Sequence, residues 1–200
     1  MPYAQARIAD VTAEAGTAFG LFYRYFPDFR SLVASMIETM LHRFDPLLEL
    51  PTDNTPAALL LRIRTYHRIT VDNHVEHPGL IRASPEVGME DADFRKRVRT
   101  LHMRYLEHMV GESIPGSGEE ATEKEKAERR MRLLALGGMS TAVLQDYYVW
   151  QAPGLQKCKL ERQEMADWLS ILFHRMLTGR DPDLSGFTTL EKLAPLLAND

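Results

Sequence analysis

Val11-Thr12-Ala13-Glu14-Ala15-Gly16-Thr17-Ala18-Phe19-Gly20-Leu21-Phe22-Tyr23-Arg24-Tyr25-Phe26 reads as a short helix, a tight turn at Gly16, and a second short helix with aromatic residues in its last turn. Ile8, Val11 and Ala15 share one face of the first helix at steps of three and four, and Phe22 and Phe26 do the same on the second. Gly16 stands where the chain reverses, a place that usually needs a positive φ, which glycine adopts without steric cost. Two helices joined this way form a helix-turn-helix, whose second helix can enter the major groove of DNA.

The side chains narrow that generic pattern. Asp10-Val11-Thr12-Ala13-Glu14-Ala15-Gly16, then Gly20, then Phe22-Tyr23-Arg24-Tyr25-Phe26-Pro27-Asp28, then Leu32, resembles the DNA-binding signature of the TetR (tetracycline-repressor) family. The resemblance spans residues 8–32 and is most specific at Tyr23-Arg24-Tyr25-Phe26; beyond that it is one of helical layout. It implies an all-α protein in two parts. Residues 1–45 would be a helix-turn-helix head with its connector helix, and residues 46–200 a helical ligand-binding and dimerisation bundle. In the family a further whole helix precedes the pair, whereas only residues 1–5 stand before it here. The head is therefore expected to be incomplete, its first helix absent, through a late start or through degeneration.

Carried over position by position, the resemblance makes Thr17, Ala18, Phe19, Gly20 and Leu21 the entry into the groove. Tyr23 and Tyr25 match aromatic positions that hydrogen-bond phosphate oxygens, with packing inside the head as the alternative, and Arg24 can reach a phosphate or a guanine edge. Three departures point to weaker affinity than a typical member. Thr17-Ala18 stands where Val-Ser is usual, Phe19 and Leu21 replace residues that are usually polar, and Phe29 occupies the place of a lysine. Apolar groups read only thymine methyls or shape, and a lost lysine removes one counterion-releasing contact.

Farther along, Asp28 is a candidate N-cap for a helix carrying Leu32, Met36, Met40 and Phe44, which should end near Asp45-Pro46. Thr55-Pro56 opens the next helix, which runs to His77-Pro78; a short segment over residues 79–84 is then broken by Pro85 and Gly88. The pattern resumes near Asp91 through Phe94, Val98, Leu101, Tyr105 and Met109, with a loop over residues 111–118. Thr122-x-x-Glu125 is a candidate capping box, and Glu120 with Lys124, Glu125 with Arg129 and Glu128 with Arg132 are ordered ion pairs on the helix that follows. A last strong helix ends at Gly179, and a short tail helix over residues 189–197 is expected. No stretch alternates at period two for a strand's length.

Composition sets the outer bounds. A formal charge of −4 with pI near 6.0 permits only local positive surface. No apolar run is long enough for a bilayer and no basic-then-apolar leader opens the chain, so a cytoplasmic protein without membrane contact is expected. Cys158 stands alone, which suits a reducing compartment. There is no G-x-S-x-G, phosphate-binding glycine loop or C-x-x-C, so neither an enzyme nor a cofactor is expected. His67, His74 and His77 on one helix, with His102 and His108 on another, could hold zinc or nickel, or be surface or hydrogen-bonded histidines.

What remains follows from the family likeness. It implies an apolar pocket between the middle helices for a small-molecule effector, with Tyr66, Ile69, Phe94, Leu101, Tyr105, Met109, Met139 and Tyr147 as candidate lining or ordinary core. It also implies a homodimer on a palindromic operator. Gly137, Met165, Trp168, Leu169, Leu172, Phe173 and Met176 are the candidate interface, because that apolar face is wider than one partner helix needs. The expected function is a ligand-responsive transcriptional repressor. The alternative is a small-molecule-binding dimer whose DNA-binding head no longer works.

Overall fold

A computed structural model describes residues 7–113 and 120–197; the sequence pattern starts the first helix at Pro2, and that start, like residues 114–118 of the expected loop, lies outside them. Among the described residues the protein is all-helical, with no strand. In chain order the helices are α1 (Ile8–Glu14), α2 (Phe19–Tyr25), α3 (Phe29–His42), α4 (Pro56–Glu76), α5 (Pro78–Glu90), α6 (Ala92–Val110), α7 (Glu123–Leu144), α8 (Pro153–Gln156), α9 (Arg162–Thr178) and α10 (Leu190–Leu197). Among those residues no helix is long and apolar enough to cross a membrane.

Local chemistry sets most of the boundaries. Asp28 accepts the Ser31 N–H at 2.7 Å, Thr55 that of Ala58 at 3.3 Å, and Asp91 that of Phe94 at 2.8 Å. Thr122 and Glu125 form the reciprocal capping box. Each such cap is worth about 1 kcal/mol to its helix. At the other ends, Gly111 and Gly179 close α6 and α9 with φ of 52° and 70°, a conformation that penalises a Cβ.

The core is built around α4, which packs most extensively on α9 and also on α5 and α6. Ile63 and Tyr66 of α4 join Tyr105 and Met109 of α6, Leu133 of α7 and Phe173 of α9 in one buried cluster. A second gathers Val71, Leu144, Tyr147, Met165, Leu169 and Leu193. The third joins Val33, Ile37 and Met40 of α3 to Ala83 and Val87 of α5 and Phe94 of α6. α3 thus packs on α5 and α6, while α1 and α2 pack chiefly on one another.

Two expectations are corrected. The helix expected to break at Pro85 and Gly88 runs through both as α5. Proline there forfeits a hydrogen bond at roughly 3 kcal/mol. Burying Ala83 and Val87, with Leu80 and Ile81 beside them, against α3 outweighs that at about 1.5–3 kcal/mol per large side chain. Glu125 does not pair with Arg129, because its carboxylate is held by Thr122 while Arg129 turns inward to donate to the Gly111 carbonyl at 2.6 Å. Lys124 pairs with Glu128, and Lys126 with Glu123. At its end α7 continues into a π-helical turn, Gln145–Val149, which swings the Tyr147 hydroxyl between the backbone N–H and carbonyl of Leu160.

Candidate nucleic-acid interface and ligand cavity

Between α1 and α2 the chain turns at Gly16, with φ of 62° and nothing within 4 Å of where a Cβ would stand. Glycine is needed there for backbone conformation alone. Thr12 of α1 and Phe22 of α2 are buried, Ile8 and Val11 are half-buried, and Ala15 is exposed. The Phe22 ring meets Tyr23 edge to face at 5.4 Å and lies tilted against Phe26 at 5.7 Å.

All eight residues singled out for base and backbone contact are exposed: Thr17, Ala18, Phe19, Gly20, Leu21, Tyr23, Arg24 and Tyr25. Phe19 is 52% and Tyr25 68% exposed, so these rings lie outside the chain's core. Phe19 and Tyr23 meet edge to face at 5.6 Å, making one aromatic ridge. Electrostatics adds little: Arg7, Arg24 and Arg30 against Asp10, Glu14 and Asp28 leave residues 7–30 formally neutral.

A cavity of about 180 Å³ is walled by α3, α4, α5, α6 and the end of α7. Ile37 and Met40 come from α3, Tyr66, Thr70 and His74 from α4, and His102 from α6. Gln145, where the π-helical turn begins, closes one side. The Tyr66 hydroxyl and His102 Nε2 are 2.9 Å apart, and burial pushes the phenol's pKa up and the imidazole's down. His74 Nδ1 donates to the Thr70 carbonyl at 2.7 Å, while its Nε2 is buried without a partner.

Of the eight residues proposed to line a pocket, Tyr66 is on this wall. Phe94, Tyr105 and Met109 are consumed by core packing, and Tyr147 anchors Leu160. Ile69 packs half-buried on the first cluster, Met139 is half-buried on α7, and Leu101 lines a separate surface groove with Lys96 and Arg104. The other wall residues were all missed, among them Ile37 and Met40 of α3 and the polar set Thr70, Asn73 and His74. Polar side chains spaced three and four apart on the buried face of α4 were the available signal.

The candidate interface residues divide in two. Gly137, Met165, Leu169 and Phe173 are buried within the chain itself, Gly137 because a Cβ would meet Leu106 at 3.3 Å. Trp168 and Leu172 are half-buried and Met176 is 60% exposed, one stripe along α9. On α7, Met131, Leu134, Ala135, Gly138 and Ala142 form a second exposed stripe of apolar and small residues.

The histidines do not assemble as a metal site: among the described residues no group of three or more His, Cys, Asp or Glu could hold an ion. His67 is fully buried, donating from Nδ1 to the Ile63 carbonyl at 3.0 Å and meeting Ser140 Oγ through Nε2 at 3.1 Å. Comparison with family models, with curated proteins and with solved structures finds no match to this chain.

Proposed function

We propose that this protein is a ligand-responsive DNA-binding regulator of transcription, a repressor released by a small apolar or amphipathic effector, in keeping with the TetR-type signature of residues 8–32. The observation that carries the reading is the helix α2. It is rooted by buried Phe22, yet every residue assigned to the groove or the phosphates stands exposed. In this reading α1 and α2 form the helix-turn-helix, α3 connects head to body, and the stripes on α7 and α9 meet their symmetry mates. A two-fold dimer then offers two recognition helices to a palindromic operator. Because α3 also walls the cavity, an occupant there bears on the element that carries the head.

Selection of genomic fragments by the purified protein, followed by gel shift at varied salt, tests this. The expected result is preference for a palindromic fragment over bulk competitor, with binding falling as salt rises and weakened by Arg24→Ala. Absence of any preference would favour the second reading, a small-molecule-binding dimer without DNA recognition. The neutral charge of residues 7–30 and the apolar face of α2 speak for that reading.

A further inference from the structure

The wall of the 180 Å³ cavity carries no Asp, Glu, Lys or Arg. A charged ligand there would lose its hydration without gaining a counter-charge, which is costly. A neutral occupant is therefore favoured over a charged one. The volume compares with that of an engineered apolar cavity of about 150 Å³ in another protein, which admits benzene. Ile37, Met40, Leu41, Phe44 and Val98 supply a surface on which one ring can rest.

The polar groups of the wall decide what that ring carries. The Thr70 hydroxyl donates to the Tyr66 carbonyl at 2.7 Å, and Asn73 Oδ1 accepts from Arg43 at 2.9 Å. The Tyr66 hydroxyl is engaged with His102. His74 differs. It is 3% exposed, and because a carbonyl only accepts, the bond to Thr70 places the ring proton on Nδ1. Nε2 of the neutral ring is then a lone-pair acceptor, and it has no partner. A buried acceptor left unsatisfied is unfavourable, and a ligand that donates to it removes that cost. Burial, which lowers the imidazole's pKa, keeps the ring in this neutral form.

We infer that the cavity binds an uncharged molecule of about one substituted aromatic ring, carrying a hydroxyl that donates to His74 Nε2. As an effector class this rests on the regulatory reading above, but binding measured without DNA tests it separately. Three probes of similar shape serve in calorimetry and thermal shift: 4-ethylphenol, 1-ethyl-4-fluorobenzene and 4-ethylbenzoate. The phenol should raise Tm and bind about tenfold more tightly than the fluoro analogue, which lacks the donor, and the carboxylate should give no shift. His74→Phe should erase the difference between phenol and fluoro analogue. A measurement independent of that variant's folding is side-chain ¹⁵N NMR of the wild-type protein, in which the phenol should move the His74 Nε2 resonance. Equal affinity for phenol and fluoro analogue, no binding of the phenol, or an unmoved Nε2 resonance would overturn the inference. The last outcome would mean that a buried water or nothing at all satisfies His74. None of these outcomes touches DNA recognition, which the fragment selection judges on its own.

Discussion

Arg43, capping the end of α3, and Glu76, in the last turn of α4, meet at 2.9 Å. Arg162 of α9 approaches the same carboxylate at 3.2 Å, so one anion gathers three helices. Arg43 also donates to Asn73, a residue of the cavity wall. The C-terminal end of α3 is therefore held by a side chain that also bonds to a residue of the cavity wall.

Glu76→Gln should loosen this junction. The Arg43 hydrogen bond, with Arg162 adding to it, holds the Glu76 carboxyl below its usual pKa. Stability from a depressed carboxylate is present above its unfolded pKa and is lost as pH falls through the folded one. The variant should accordingly melt earlier than wild type near neutral pH, and the two should converge in acid. Thermal unfolding across that range measures it, and parallel curves at every pH would contradict it.

His67 gives a pH dependence of separate origin. Burial pushes its pKa down to about 3, so between there and the unfolded value the unfolded chain holds the extra proton. Stability is complete above about pH 6.5 and declines below it at roughly 1.4 kcal/mol per pH unit for such a group. In His67→Leu, Ser140 and Ser170 keep their bonds to the Leu136 and Ala166 carbonyls. The variant should fold at neutral pH and show a flatter decline in urea titrations from neutral to mildly acidic buffer.

Arg62 is buried on α4 and donates to the carbonyls of Met109, Pro51 and Asp53, closing the loop before α4 onto the end of α6. A Cβ at Gly111 would stand 3.1 Å from its Nη2, which explains the glycine there beyond its positive φ. Arg62→Met leaves the buried Met109 carbonyl without this donor and should cost about 1–3 kcal/mol. Equilibrium denaturation reads this directly.

Gly16→Val should separate hairpin from body. Nothing crowds a side chain at Gly16, so the penalty is the left-handed backbone alone, about 1–2 kcal/mol. Since α1 and α2 pack chiefly on each other, hydrogen exchange should quicken in residues 8–25 while α4 and α9 keep their protection. Gly16→Asn should be milder, because asparagine tolerates that conformation.

Much of this architecture is legible in the chain because helix ends are local events. Asp28, Thr55, Asp91 and Thr122 each act on an N–H three residues away, and Gly179 acts at its own φ. A reader of the sequence sees both partners in one short window. The same holds for the turn at Gly16 and for the residues from Thr17 to Tyr25, where Phe22 alone is buried and its neighbours are exposed. Pro85 misleads for the converse reason: the groups that keep α5 helical through it are on α3, about fifty residues away.

The sequence by itself determined that the chain is helical, where most of its helices begin and end, and which short hairpin displays aromatic side chains. Those outcomes depend on residues within about four positions of one another. Tertiary structure alone decided that Arg129 turns inward, that Arg43 reaches Asn73 and Glu76, that Phe94 and Tyr105 are filler while Tyr66 is wall, and that His74 lacks a partner. Arg64 and Asp167, bonded at 3.2 Å across α4 and α9, are more than a hundred positions apart. Which apolar faces meet, and what space they leave between them, is settled by packing many such distant surfaces at once, and no local pattern encodes it.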